Sequence, residues 1–324
     1  MPIARTVPFL DLHVHAREPG QTHKETIETA CAAAAAGGFG AIAIMANTSP
    51  PVDTPEWVRF VREKARGLPV SVYPAAAVTV GQKGEALTDF AALKEAGAAA
   101  LSDDGLPIRD EKLLREALMR ANAVGLPVLL HCEPETEQCE QALYYIKQTS
   151  CPAHICHVSL ADTVAVLRKA RREGVPFTAE TCPHYMTAAF GKMNPPLGTE
   201  RDIEAVLDAL CDGVIDCIAT DHAPHTEEEK ASDNPPNGVI GLETALAVSL
   251  EALYHSGRMP LESVFSLLSE NPAVILRVPV PGGVVTIETD REWMVEPGRF
   301  ASKSENTPFM GKILRGKVVS HHVG

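Results

Sequence analysis

Two histidines one residue apart, His13 and His15, close an apolar run that begins at Phe9. If that run is a strand, alternate side chains share a face, so both imidazoles look into one space while Leu12 and Val14 look the other way. Imidazole is the commonest protein ligand for divalent metals, and two rings fixed on one strand end can grip an ion with little rearrangement. A satisfied pair of core histidines would read the same way in isolation. The rest of the chain weighs against that, because histidines and aspartates recur directly after short apolar runs: Asp103-Asp104-Gly105, His131-Cys132-Glu133, His157-Val158-Ser159 and Asp221-His222-Ala223-Pro224-His225. Asn47 ends another such run. Four imidazoles and two carboxylates gathered on one rim are enough ligands for two metal ions.

Such a rim needs elements to build it. Apolar segments of strand length fall at Phe9 to Val14, Ala41 to Asn47, Val70 to Val78, Ala98 to Asp103, Pro127 to Cys132, His154 to Ser159, Phe177 to Thr181 and Cys217 to Thr220. Helical text lies between most of them, including an Ala-rich stretch from Glu18 to Ala36 that stops at Gly37-Gly38. Eight strand–helix units favour an α/β fold of the closed (β/α)8 TIM-barrel type, whose active sites lie at the C-terminal strand ends. No Gly-x-Gly-x-x-Gly turn follows the first strand, which argues against a dinucleotide fold. Residues 1–277 are read as a metal-dependent catalytic barrel, and 278–324 as a reduced C-terminal β appendage with too little core to fold alone.

Composition narrows the class. The chain of 324 residues carries 29 Lys+Arg against 42 Asp+Glu, a formal charge of −13, which works against nucleic-acid or anionic-membrane binding. An anionic ligand would therefore need a few local cations. Eight scattered cysteines without a C-x-x-C pair predict reduced, mostly buried thiols, and no signal-peptide layout or membrane-length apolar run is seen, so a cytoplasmic enzyme is expected.

The run Asp11-Leu12-His13-Val14-His15-Ala16-Arg17-Glu18-Pro19-Gly20, taken with Ser102-Asp103-Asp104-Gly105, His131-Cys132-Glu133, His157-Val158-Ser159, Asn194-Pro195-Pro196-Leu197, Ala219-Thr220-Asp221-His222-Ala223-Pro224-His225 and Ser304-Glu305-Asn306-Thr307-Pro308-Phe309, resembles the dihydroorotases of the amidohydrolase superfamily, in particular the bacterial type I enzymes. The likeness covers nearly the whole chain. It implies reversible cyclisation of N-carbamoyl-L-aspartate to L-dihydroorotate and water, a step of pyrimidine synthesis, at two Zn²⁺ ions bridged by Asp104 and a hydroxide. His13, His15 and Asp221 would hold one ion, His131 and His157 the other, with Asp103 beside the site. Asp221 would also be the general acid/base. Other superfamily members use a carboxylated lysine as the bridge, but Lys94 and Lys112 stand in helical text. The likeness further implies that Arg17, Asn47 and His225 bind the substrate carboxylate and that Asn194 meets the pyrimidine ring. It leaves open a homodimer and an association with aspartate transcarbamoylase. Rival readings are another cyclic amidase (dihydropyrimidinase, hydantoinase or allantoinase), which would not need Arg17 for a carboxylate, and a non-catalytic dihydroorotase-like subunit, which would lose ligands.

Some residues near these motifs read as structural. His154 is placed at the start of its strand, His184 and Tyr185 in packing, and His222 facing away from Asp221. The chain also departs from the family pattern. Only Met1 to Pro8 precede the first barrel strand, so the C-terminal appendage is expected to lack its usual partner strands. A single helix is expected between His131 and His157, and Gly198 stands where an arginine commonly follows Asn-Pro-Pro-Leu.

Overall fold

Short apolar runs separated by helices become parallel strands in the computed structural model, which describes residues 2–323. After β1 (Ile3–Thr6) come β2 (Phe9–Val14), β3 (Phe39–Ile44), β4 (Ser71–Ala76), β5 (Ala100–Leu101), β6 (Leu129–Leu130), β7 (Ala153–Ile155), β8 (Phe177–Thr181) and β9 (Cys217–Ile218). Strands β2 to β5 pair side by side as one parallel arc, and β6 to β9 as another. The arcs are joined by single parallel bridges, Leu101 to Val128 on one side and Val14 to His222 on the other, so the eight strands close into the expected barrel. Several strands are only two residues long, which leaves the joints with few ladder bonds.

Seven helices follow the strands around the wall: Ile27–Ala36, Pro55–Lys64, Phe90–Ala96, Glu111–Val124, Glu135–Thr149, Ala161–Arg172 and Glu200–Cys211. Their ends obey local chemistry. Asp110 caps the amide of Leu113, and Gly97 and Gly125 close the preceding helices in the left-handed conformation that glycine adopts without a Cβ clash. The first helix starts only at Ile27, capped by Thr26, and not at Glu18 as its polar-then-Ala text predicts. Residues 18–26 form instead a loop that brings Glu18, Lys24 and Glu25 to the barrel mouth.

Apolar side chains divide into an outer layer between strands and helices and a lumen core that includes Leu10, Leu12, Ala41, Ala43, Met45 and Leu129. Strand β2 breaks its own alternation. Its register against β3 shifts between Asp11 and Val14, and Leu12 joins the lumen core whereas Val14 joins the outer layer. The expectation that Leu12 and Val14 share a face is therefore corrected. The bulge re-aims the strand end, a known use of one displaced residue beside a site.

A second correction concerns the appendage. β10 (Gly283–Met294) and β11 (Ile313–Val323) form an antiparallel pair, and β1 adds to the other edge of β10, with Ile3 opposite Glu288 and Thr6 opposite Val285. The C-terminal strands thus have a partner, supplied by the eight residues before the barrel. Gly198 has a local reason: a Cβ there would come within 2.6 Å of the Asp202 Cβ, and Asp202 caps the amides of Thr199 and Ala161.

Candidate metal centre and active site

The strand ends converge as alternation at a barrel mouth requires. His13 is fully buried, and its Nδ1 lies 2.8 Å from Glu180 Oε1 on β8. A carboxylate can only accept, so Nδ1 carries the proton and Nε2 is left as a free lone pair. That Nε2 is 3.5 Å from Asp221 Oδ1 and 3.7 Å from Asp104 Oδ1. His15 places Nε2 at 2.8 Å from Asp221 Oδ1, while its Nδ1 meets Asn47 Oδ1 at 2.9 Å and Asp104 Oδ2 at 3.2 Å. His131 Nδ1 sits 3.0 Å from Asp104 Oδ1 and 2.8 Å from His157 Nε2. Asp104 therefore reaches histidines on both sides.

Holding the groups this way costs backbone strain. Arg17, His157 and Asp221 have φ of 60°, 37° and 47°, a left-handed region that non-glycine residues seldom occupy. Asp221 is held there from both sides, since His15 N donates to His222 O and Ala223 N donates to Val239 O.

Electrostatics follow from crowding. Ring centroids of His13, His131 and His157 lie 4.7 to 5.5 Å apart, too close for all to be cations. Burial, then the charges of His131 and His13, pushes His157 down to about 3. Burial alone would depress His131, but the Asp104 carboxylate and the Cys156 sulfur together raise it to about 10. Burial alone would raise Asp104 and Asp221, yet the surrounding imidazoles hold both below the usual carboxylate range. Glu180 is held down likewise against its burial, by hydrogen bonds from His13 and His154.

The donor set fits a metal. His13 Nε2, Asp104 Oδ2, His131 Nε2 and His157 Nδ1 are buried with no hydrogen-bond partner. Each such atom costs about 1–3 kcal/mol if left unsatisfied; His13 Nε2, with Asp104, Asp221, His131 Nδ1 and His157 Nε2 crowded about it, is a set of lone pairs that suits a cation. Ligand atoms of His13, His15 and Asp221 lie within 4.8 Å of one another. Their 2.8 and 3.5 Å separations bracket the roughly 3.3 Å edge of a tetrahedral site with 2.0–2.1 Å bonds.

Above this floor lies a cavity of about 600 Å³, lined by His15, Arg17, Asn47, Asp104, His131, His157, Asn194, Asp221 and His225 among others. Every residue expected to hold metal or substrate lines it except His13, which is sealed beneath. Arg17 Nε donates to Pro224 O at 3.2 Å, and its NH2 is 3.2 Å from His225 Nε2. Burial, then the neighbouring cations Arg17, Lys24 and Lys230, lowers His225 to about 4, so it is neutral and donates from Nε2 to Asn237 O at 2.9 Å. Asn194 Nδ2 donates to Glu133 Oε2 at 3.0 Å. Asp103 turns aside to accept from Thr79 N at 3.0 Å, and His222 turns toward Glu25, 3.4 Å away. His184 and Tyr185 are buried, with the Tyr185 hydroxyl donating to Pro195 O at 2.5 Å.

Three contributors went unread in the sequence. Glu180 is fully buried between His13 and His154 Nε2, the latter at 3.1 Å. A carboxylate inside apolar strand text was the available signal, because an ionised group survives in a barrel wall only when paired. Glu25, also buried, accepts from Ser302 Oγ at 2.5 Å and Lys303 N at 3.2 Å. Asn306 accepts from His225 N at 3.1 Å and donates to Ala223 O at 3.0 Å, so the segment between β10 and β11 pins the loop that carries Asp221.

Known proteins resemble this chain in sequence and in fold. The family described as dihydro-orotase-like matches residues 5–148. A dihydroorotase of Bacillus caldolyticus is 39% identical over 365 residues, covering 98% of this chain and 85% of that protein. A dihydroorotase of Pelotomaculum thermopropionicum is 41% identical over 356 residues, covering 95% and 83%. The solved L-hydantoinase (dihydropyrimidinase) of Arthrobacter aurescens superposes with a TM-score of 0.89 over 98% of this chain and 84% of that one; at 21% identity the likeness is one of fold. Among the described residues no helix is long and apolar enough to cross a membrane.

Proposed function

The chain belongs to the dihydroorotase family of the amidohydrolase superfamily and is a cyclic amide hydrolase, and from that premise we propose how it interconverts N-carbamoyl-L-aspartate and L-dihydroorotate. The observation that carries the reading is the gathering of four imidazoles about Asp104 and Asp221 at the floor of a cavity that the buried Arg17 also lines. His13, His15 and Asp221 would hold one zinc ion and His131 and His157 a second, with Asp104 lying between the two sets. When bound, two such ions acidify a water and polarise the amide carbonyl.

The protein's own groups do the rest. Arg17, with Asn47 and His225, receives the carboxylate of the substrate; a guanidinium can pair it through two parallel hydrogen bonds. Asn194 meets the ring. Asp221 accepts the proton of the attacking water as its oxygen bonds to the carbonyl carbon, then delivers that proton to the ring nitrogen as the C–N bond breaks. In the opposite direction Asp221 removes the proton from the ureido nitrogen as that nitrogen bonds to the side-chain carboxyl carbon, then passes it to the departing oxygen, which with one further proton from solvent leaves as water when the C–O bond breaks. The enzyme acts on this small molecule in the cytoplasm, as a homodimer or with aspartate transcarbamoylase.

Metal analysis coupled to a hydrolysis assay tests the proposal. The purified chain should carry two zinc ions and open dihydroorotate far faster than uncharged dihydrouracil. Preference for dihydrouracil would make it a dihydropyrimidinase-type enzyme, and a chain that binds no metal would overturn the mechanism.

A further inference from the structure

One buried thiol stands under the metal floor with no part in the chemistry above. Cys156 follows β7 and belongs to the lumen core with Leu12 and Leu129. Its Sγ and one ring nitrogen each of His13 and His131 lie within 4.8 Å of one another. His13 Nδ1 is committed to Glu180, which leaves Nε2; that atom and His131 Nε2 are both buried without partners. Two imidazole nitrogens and one sulfur within reach of a single ion make a softer donor set than the nitrogen and oxygen atoms on the cavity side.

We propose that His13, His131 and Cys156 form a separate site for a soft, thiophilic divalent cation, and that it excludes the His13–His15–Asp221 set because both depend on His13. Binding replaces the S–H bond by a sulfur–metal bond and releases one proton to solvent, with no change of oxidation state. An ion held there withdraws His13 from the catalytic arrangement, so thiophilic ions inhibit by misplacing a ligand and not by blocking the cavity. The inference rests on the ligands assigned under the proposed function and not on the substrate.

Cadmium alone, titrated into the metal-stripped full chain, is the probe. The expected result is an ultraviolet thiolate-to-cadmium charge-transfer band that saturates at one ion per chain. The band should be lost in Cys156→Ser and retained in Cys132→Ser, whose thiol packs in the outer layer with Cys139. Should Cys156→Ser fold poorly, X-ray absorption on cadmium-loaded Cys132→Ser protein should still show one sulfur with nitrogen neighbours. No band in the wild type, a band that survives Cys156→Ser, or cadmium without a sulfur neighbour would each overturn the site. A chain that turns over dihydroorotate with zinc but lacks the cadmium–sulfur signal refutes this inference alone, whereas the signal without turnover refutes the proposed reaction alone.

Discussion

The floor and the rim of the cavity use similar side chains and finish them differently. On the floor, His13, His131, His157 and Asp104 are buried and each leaves a polar atom without a partner. On the rim, Arg17 already donates to Pro224 O, His225 to Asn237 O and Asn194 to Glu133. The floor is incomplete as protein alone, and the proposed cations would complete it about His13 Nε2 and Asp104. The rim is partly engaged, so a substrate must exchange for some contacts that exist while the Arg17 guanidinium keeps N–H groups to offer. Affinity for metal and selectivity for substrate are thereby separated, and each can be broken without the other.

Asp221→Asn should give the largest effect, a fall in kcat of about 10³-fold, since the amide cannot shuttle the proton; steady-state assays showing less than a tenfold drop would move the acid/base role elsewhere. Arg17→Ala should lower kcat/KM for dihydroorotate by about 100-fold, consistent with leaving a charged carboxylate unpaired. Atomic absorption should find its metal content intact, and zinc loss in parallel with activity would make Arg17 part of the floor. Glu180→Gln should weaken metal binding by roughly 10- to 100-fold, measured by chelator competition, because it removes the charge behind His13. Unchanged affinity would reduce Glu180 to packing.

The smallest effect belongs away from the cavity, where the segment between β10 and β11 meets Glu243. Glu243 accepts from Ala301 N and Ser302 N at 3.0 and 3.1 Å, and burial, against those bonds, raises its carboxyl to about 6. A carboxyl raised on folding favours the native state below its unfolded pKa and loses that contribution as pH rises through the folded one. Glu243→Gln, which keeps an acceptor, should therefore gain on the wild type between about pH 4.5 and 6 and hold the gain above. After discounting for partial exposure the gain is about 1 kcal/mol. Urea midpoints at pH 4 and 7.5 measure it, and a constant difference between the two proteins would contradict the assignment.

Much of this was legible because each motif is local. Apolar runs ending in His or Asp announce strand ends, and the barrel rule says where such ends meet. What stayed hidden depends on contacts between distant residues. Nothing near Ile3 signals a partner at Glu288, and two-residue strands do not reveal that the wall closes through single bridges. The bulge in β2 leaves no mark on an alternation count. Glu180 and Glu25 look like ordinary carboxylates until His13, His154 and Ser302 are brought beside them. The left-handed backbones of His157 and Asp221 are also silent, since neither position is a glycine.

The two single-bridge joints have a consequence beyond closure. Asp104 and His131 stand on opposite banks of the first joint, and Asp221 faces His13 and His15 across the second. Each gap in the ladder is thus spanned by the very groups proposed to grip the ions, so a bound cargo would double as a clasp. Emptying it should loosen the wall where it is thinnest, and amide exchange at Leu101 and His15 would quicken before that of the strands midway along either arc.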